Sequence, residues 1–567
     1  MRAGANIENA AEDQAAVIAF LMRPESYPDR PAEVSRVDTH GAAIFLAGRR
    51  AYKLKRAVKL AYLDFSTPEK RKAVCEREFA LNRPHAPTLY RGVMPVTRGG
   101  GGRLHIGGAG EPVDWLIEME RFADAQLFDR LAVAGRLDGG LIEKLAEVIE
   151  RFHAAAPVFK GLGWPASLGQ VVGNVVRALE HFPVKRMPVT VAKMRPDKEL
   201  APRSDSIGTE KAPGGLDEAA KAGGGMQGYL TALQDTLHSH RDLLAARRDA
   251  DLVRRCHGDL HLKNIVLIDG APCLFDALEF DEDLARIDVL YDLAFLVMDL
   301  WHRGLKAEAH TLFNHYFSRD VTNIEWRGLA LFPFFLSLRA AIRAMVGLDG
   351  LPFAEGAKRA ALAAEIRDYA QLAEALLSPA PPMLIAIGGL SGTGKSTIAR
   401  AVAPGIGAAP GAIILRSDVE RKLMQGAGLT ERLGAEAYAP EARNAVYSRL
   451  LHKSEAILRT GHCVILDAVF REPHQRERPQ ALAERLGIPF LAIWLEAPQG
   501  QMLDRVAARR GDASDADAGV VLRQLESTAP PSDWHKVDAG GDVEQTAAGV
   551  RTLIQSLQSG PRRPARA

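Results

Sequence analysis

Cysteine is scarce in this chain: four residues in 567, Cys75, Cys256, Cys273 and Cys463, with no C-x-x-C pair and no zinc-ligand spacing. That excludes a disulfide scaffold and a structural zinc module, and leaves reduced, mostly buried thiols as the expectation. Excess charge of one sign is missing as well. Lys plus Arg number 72 and Asp plus Glu 70, a formal +2, which argues against a chain devoted to coating nucleic acid or an anionic membrane. The longest apolar run, around Leu329 to Leu338, is interrupted by Pro333 and falls short of the roughly 18 to 20 residues that span a bilayer. The amino-terminal MRAGANIENAAEDQAAVIAFLMR sets acids ahead of a short apolar stretch, the wrong order for a secretory signal. The expectation is a cytoplasmic protein with no membrane partner.

What is present is globular in composition, 47% hydrophobic and 25% charged, with length for several folding units. No internal repeat of 20 to 50 residues is visible. Three stretches break the periodic pattern. Arg98 to Glu111 is glycine-rich between two runs of strand length and predicts a loose hairpin. Met187 to Gly228 mixes Pro, Gly, Lys and Asp and predicts a flexible insertion. SPAPP at Ser378 to Pro382 separates an Ala- and Leu-rich helical stretch from the buried-strand run MLIAI. The expected domains are therefore 1–377, with the insertion at about 187–228, a linker at 378–382, a second domain at 383–556, and a disordered tail at 557–567. In the second domain apolar runs alternate with helical ones, which predicts a parallel sheet covered by helices.

Gly389-Leu390-Ser391-Gly392-Thr393-Gly394-Lys395-Ser396, followed by Thr397, fits G-x-x-x-x-G-K-[ST] between an apolar strand and a helical run. Glycines let backbone N–H groups turn inward around phosphates, the lysine reaches the terminal phosphates, and the Ser396 hydroxyl can ligate Mg²⁺. At the end of the next apolar strand, Asp418 is placed to accept the proton of an attacking hydroxyl, and Arg421 to hold an anionic acceptor. A helix N-cap is the alternative role for Asp418. Asp467, closing VILD, stands like a Walker-B acid that orders Mg²⁺. Arg505 and Arg509 are one helical turn apart and could close as a lid over the phosphoryl group; an exposed basic helix is the alternative. The combination resembles the small P-loop kinases: gluconate kinase, chloramphenicol phosphotransferase and, through Asp418 and Arg421, the kinase domain of polynucleotide kinase. An AAA-type ATP-binding domain is implied.

Upstream, His257-Gly258-Asp259-Leu260-His261-Leu262-Lys263-Asn264 puts an Asn five residues after an Asp, so that one loop can present a hydroxyl-activating carboxylate and a metal-binding amide; Asp276 follows. This resembles the aminoglycoside phosphotransferase family, relatives of protein kinases with H-G-D in place of H-R-D. The resemblance implies that Asp259 deprotonates the acceptor hydroxyl and that Asn264 and Asp276 hold Mg²⁺. It also implies a strand lysine at Lys55, with Lys53 on the same face, an ion-pair partner at Glu78 with Glu76 as the lesser choice, and an adenine-binding hinge at Glu120 to Phe122. Asp288 and Asp292 would brace the loop. Two departures stand out. Thr39-His40-Gly41-Ala42 offers one glycine where a G-x-G-x-x-G would cover the phosphates, and no compact acidic patch selects a polycationic antibiotic.

The expected architecture is an α+β bilobal protein-kinase-like fold followed by an α/β P-loop fold with a parallel sheet. The expected activity is transfer from Mg·ATP to hydroxyls of small molecules at two sites. A polynucleotide 5′-hydroxyl is the lesser acceptor for the P-loop domain, and a nucleotide-gated regulator is the competing class.

Overall fold

The computed structural model of the protein describes residues 14–39, 41–60, 63–161, 163–180, 225–319 and 321–559. Strands β1 (Val34–Asp38), β2 (Ala42–Ala47) and β3 (Arg50–Lys55) lead to helix α1 (Pro68–Asn82), then to β4 (Tyr90–Arg98), β5 (Leu104–Ile106) and β6 (Glu111–Glu120). All pairings are antiparallel, in the order β1-β2-β3-β6-β4-β5. The glycine-rich stretch expected to be a plain hairpin loop carries β5 within it, paired to the end of β4.

Period-two alternation decides what faces where. Tyr52 and Leu54 of β3 join Phe45, Val96 and Leu116 in one apolar cluster. Ala51, Ile117 and Met119 join Cys75 and Tyr90 in the cluster on the other face, the face that Lys53 and Lys55 share. Helix α1 starts at Pro68 behind a Thr67 cap and buries Arg71, Cys75, Glu78 and Asn82, a helical stripe made almost wholly of polar side chains. Arg71 satisfies that burial with a two-pronged pair to Asp114, at 2.7 and 2.9 Å.

Helix α2 (Gly139–Ala155) is capped by Asp138. The strand-rich patch expected around Cys256 to Phe280 is a hairpin, β7 (Ile265–Ile268) and β8 (Ala271–Leu274). Helix α3 (Val289–His302) is buried at every position from Val289 to Leu300, with Asp288 as its cap, and α4 (Lys306–Tyr316) follows.

The carboxy-terminal region is a five-stranded parallel sheet. Its elements are β9 (Leu384–Gly388), α5 (Lys395–Val402), β10 (Ile413–Arg416), α6 (Ser417–Met424), α7 (Pro440–Leu458), β11 (Val464–Asp467), α8 (Pro473–Leu486), β12 (Phe490–Glu496), α9 (Gln499–Ala508), α10 (Ala518–Ser527), β13 (His535–Asp538) and α11 (Val543–Ser559). The order is β10-β11-β9-β12-β13. Every residue of β9 and β11 is buried, as covering on both faces demands. Helix α11 runs to Ser559, past the expected tail start at 557; residues 560–567 lie outside the described residues.

Two compact units divide the chain, and they do not follow the linear 1–377 and 383–556 division. One holds Met1–Trp164, Leu243–Phe332 and Ala380–Ala567; the other holds Pro165–Asp242 and Pro333–Pro379. In the first, α4 meets the edge strand β10. Asn314 Oδ1 accepts the Ile414 amide at 2.9 Å, and His310 Nε2 donates to the Ala412 carbonyl at 2.9 Å. These side chains supply partners that an edge strand otherwise leaves open. The second unit is helical, with Tyr229 and Ser337 hydroxyls 3.0 Å apart and Ser337 donating to Ala373 O. Of the expected insertion, 187–224 lies outside the described residues, and Gly225 opens the helix Gly225–Ser239.

One expectation is overturned. Pro333 does not break the apolar run: it sits in the first turn of the helix Phe332–Gly350, where its missing N–H costs nothing. The helical run Asn323–Phe353 is long and apolar enough, by length and composition alone, to cross a membrane. Of its most apolar window 67% is buried within the protein, as in a core helix. All four cysteines are free, and Cys75, Cys256 and Cys463 are buried.

Candidate active sites

The phosphate loop joins β9 to α5. Gly389, Gly392 and Gly394 take φ of +139°, +85° and +90°, the left-handed region that side chains resist. A Cβ on Gly392 would stand 2.5 Å from Met502 O, so α9 packs against the loop only because that position is glycine. Gly394 caps α5, and the helix N-terminus opens onto the loop. Lys395 Nζ donates to Leu390 O at 2.9 Å, Thr393 Oγ1 to the same carbonyl at 2.8 Å, and the Ser391 amide to Gln524 Oε1 at 2.8 Å. Burial lowers the Lys395 pKa, against the pull of Asp467 and Asp418. Ser396 Oγ donates to Asp467 Oδ2 at 2.5 Å. The two proposed Mg²⁺ groups are thus already adjacent.

Around the loop lies a cavity of about 1250 Å³, lined among others by Thr397, Asp418, Arg421, Asp467, Arg505 and Arg509. Asp418 lies in the first turn of α6, whose N-cap is Arg416, so the capping alternative for Asp418 does not apply. Arg421 is buried, donates to Ala437 O at 3.2 Å and stacks 4.7 Å over the Tyr438 ring. Arg505 donates to Ala539 O at 3.0 Å. Arg509 does not share its helical face: α9 ends at Ala508, and Arg509 is an extended C-cap. Both still border the cavity. Arg421 Nε and Arg509 Nη1 are buried with no hydrogen-bond partner among the described residues. Unpaired buried guanidinium atoms, a glycine cradle and a hydroxyl–carboxylate pair fit a nucleotide triphosphate with Mg²⁺.

Sequence reasoning passed over Arg416 and Asp512. Arg416 Nε stands 3.3 Å from Asp467, and its Nη2 stands 3.0 Å from Asp512, so it ties the Walker-B acid to the lid segment. Arg416 adjoins the Ser-Asp of the motif, but no spacing rule pairs it with Asp512.

The second constellation lies between the amino-terminal sheet and the β7–β8 hairpin. Lys53 Nζ is 2.8 Å from Glu78 Oε1 and 2.5 Å from Asp276 Oδ1. Lys55 Nζ is 2.5 Å from Glu78 Oε2 and 2.5 Å from Glu279 Oε1. Lys55 therefore meets the expected Glu78, but so does Lys53, and it is Lys53 that reaches Asp276 while Lys55 reaches Glu279 on the same period-two face. Glu76 is far more exposed and pairs with Lys72. Burial pulls the Lys53 ammonium toward neutrality, yet Asp276 and Glu78 outweigh it and hold it well above its ordinary value. At Glu279 burial, joined by the neighbouring Glu78 and Asp276, outweighs Lys55 and Lys53 and raises its carboxyl.

Asp276 holds φ +61°, rare for a residue other than glycine, and its amide donates to Tyr90 Oη at 3.2 Å. Asn264 Nδ2 donates to the Asp259 carbonyl at 2.9 Å and to its carboxylate at 3.0 Å, which leaves the Asn264 side-chain oxygen as the acceptor type that Mg²⁺ takes. Asp259 is partly exposed and lies 3.4 Å from His261 Nε2. Asp292 accepts from the His257 and Gly258 amides, and Asp288 pairs with the buried Arg247 at 2.6 and 2.7 Å.

The hinge differs from expectation. The Glu120 and Arg121 amides are donated to Leu89 O and Arg49 O, because the strand still pairs there. The Glu120 side chain pairs with Arg50 and Arg91. Phe122 stands edge-on to Phe275, 5.5 Å between centroids. At the β1–β2 turn the Thr39 amide donates to Ala42 O at 2.8 Å, a tight turn; His40 lies outside the described residues.

Over 523 residues, 92% of this chain and 95% of the relative, the sequence is 30% identical to an uncharacterized protein of Mycobacterium tuberculosis. The chain belongs to that family. Residues 384–531 match the AAA domain family. An adenylyl-sulfate kinase of Myxococcus xanthus is 30% identical over 175 residues, 30% of this chain and 88% of that protein. Among solved structures, a choline/ethanolamine kinase family protein from Mesorhizobium loti aligns at 13% identity and a TM-score of 0.33, covering 64% of this chain and all (100%) of that one. The architecture is an α+β amino-terminal region with a six-stranded antiparallel sheet, joined to a P-loop domain with a five-stranded parallel sheet.

Proposed function

We propose that the protein is a bifunctional ATP-dependent phosphotransferase that moves the γ-phosphoryl group of ATP to hydroxyls of two small-molecule acceptors in the cytoplasm. The observation that carries this is the convergence on the phosphate-loop cavity of Asp418 with the partnerless guanidinium atoms of Arg421 and Arg509. Asp467 suffices for the nucleotide's metal, so a second carboxylate, Asp418, in the same cavity suits a hydroxyl acceptor that a nucleotide sensor lacks.

In the P-loop domain, Lys395, Arg505 and Arg509 neutralise charge that develops on the transferring group, and Arg421 pairs with an anionic group of the acceptor. Asp418 accepts the hydroxyl proton as the new O–P bond forms and the bond to ADP breaks. Ser396 and Asp467 would hold Mg²⁺, which supplies further neutralisation between the phosphates. In the amino-terminal site Asp259 accepts the proton and Asn264 and Asp276 would hold Mg²⁺. Lys53 gives up Asp276 for the α- and β-phosphates while Glu78 retains it. The adenylyl-sulfate kinase relative adds weight to a small anionic acceptor for the P-loop site.

Incubation of the full chain with γ-labelled ATP, Mg²⁺ and a bacterial metabolite extract tests the reading. Label appears in one product lost in Lys395→Ala and in another lost in Asp259→Ala. Label on an oligonucleotide 5′ end would move the P-loop acceptor to nucleic acid. ATP bound at both sites with no labelled product from any acceptor would leave a regulator instead.

A further inference from the structure

The amino-terminal site carries more buried charge than phosphate binding uses. Asp276, Lys53, Glu78, Lys55 and Glu279 form one line of contacts that alternates in sign, each step between 2.5 and 2.8 Å. Oxygens of its three carboxylates lie within 4.8 Å of one another. Three like charges that close repel unless cations separate them, and here the two ammonium groups do so.

The two lysines differ in what holds them. Lys53 has one enclosed partner and one open one: the Glu78 side chain is 0% exposed and that of Asp276 37%. Lys55 is closed at both ends, by Glu78 and by Glu279, which is 8% exposed. Lys53 can therefore exchange Asp276 for an incoming phosphate, whereas Lys55 has nowhere to go. After that exchange the Lys53 ammonium is fixed by Glu78 Oε1 alone, and the direction of Oε1 depends on what holds Oε2.

We propose that Lys55, braced by Glu279, is a positioning residue for ATP at the amino-terminal site: it clamps Glu78 so that Lys53 is aimed at the phosphates. The inference rests on the reading of that site as an ATP site. Glu279 then has a defined part, as the anion that lets a second buried lysine stand beside the first without repelling it from Glu78.

The test uses the full chain with Lys395→Ala to silence the P-loop site, and measures Mg·ATP binding by calorimetry beside thermal unfolding. Lys55→Met weakens ATP binding roughly tenfold, the size of one charge-assisted contact, and lowers the melting temperature. Lys55→Met with Glu279→Gln removes one charge of each sign, so it regains melting temperature but not ATP affinity. Lys55→Arg, which can span both carboxylates, regains both. If the double variant binds ATP as tightly as its parent, Lys55 merely neutralises Glu279 and the positioning role is overturned. If the Lys395→Ala parent binds no ATP, the amino-terminal ATP site falls and this role with it.

Discussion

Asp292 carries the backbone of the loop that presents Asp259: its Oδ1 accepts the Gly258 amide at 2.8 Å and its Oδ2 accepts the His257 amide at 3.2 Å. His153 Nε2 reaches the same Oδ2 at 3.1 Å, so the loop and α2 meet on one buried carboxylate, and His153 Nδ1 in turn lies 3.0 Å from Tyr316 Oη of α4. Asp292→Asn replaces an acceptor by an NH₂ that faces N–H groups. The expected result is a loss of about 3 kcal/mol in stability, the size typical of a broken buried charged network. Transfer by the amino-terminal site falls with it. Urea unfolding and labelled-ATP turnover in the Lys395→Ala background measure the two effects.

At the other site backbone conformation sets the limit. Gly392→Ala would place a Cβ 2.5 Å from Met502 O at a φ of +85°, and a backbone oxygen cannot swing away as a side chain would. The loop must shift, so ATP affinity there drops by at least about tenfold, the equivalent of 1.4 kcal/mol, less than such strain commonly costs. Calorimetry of the full chain should show one ATP-binding step weakened by that factor while the other proposed step is unchanged. Retention of both sites would mean that Met502 and α9 yield easily.

How far the sequence reached depends on the range of each interaction. Gly389 to Ser396 and His257 to Asn264 are contiguous, so both candidate sites stand out by spacing, and the parallel sheet followed from alternating apolar and helical runs. The buried stripe of α1 was visible only at Glu78, through the resemblance; Arg71 and Asn82 mimic a solvated helix until Asp114 and the Ala277 amide are brought to them. The choice between Lys53 and Lys55 had the same limit: both lie on one face, and only the placement of Asp276 and Glu279, more than two hundred residues away, separates them. Arg509 shows the opposite error, a helical spacing that continued after the helix had stopped.

Two histidines mark the seam between α4 and the P-loop sheet. Burial lowers both His310, bonded to Ala412 O, and His462, stacked 6.2 Å from the Phe313 ring, to a pKa of about 4 from 6.5. The unfolded chain binds these protons more readily than the folded one. Stability from the neutral forms is therefore complete above about pH 6.5 and is lost as pH falls toward 4, by an amount on the order of 3 kcal/mol per group. Unfolding free energies measured from pH 7.5 to 4.5 should fall accordingly, and His310→Gln with His462→Gln should flatten the slope. An unchanged slope in that double variant would place the acid sensitivity elsewhere.

The proposed function casts Asp418 as base and Arg421 as acceptor clamp, and kinetics can tell the two roles apart. Both sit on α6, three residues apart, so they present neighbouring side chains to one cavity. Asp418→Asn keeps the shape and removes the proton acceptor, so kcat for the acceptor found in the labelled-ATP screen should fall by roughly 10² to 10⁴ while ATP affinity holds. Arg421→Lys keeps charge but loses the planar stack on Tyr438 and the two-pronged grip on an anion, so it should raise the acceptor KM by about tenfold and spare ATP binding. If Asp418→Asn instead weakened ATP binding with kcat unchanged, that carboxylate would serve the nucleotide and its metal, and the proton would have to leave the acceptor by another group.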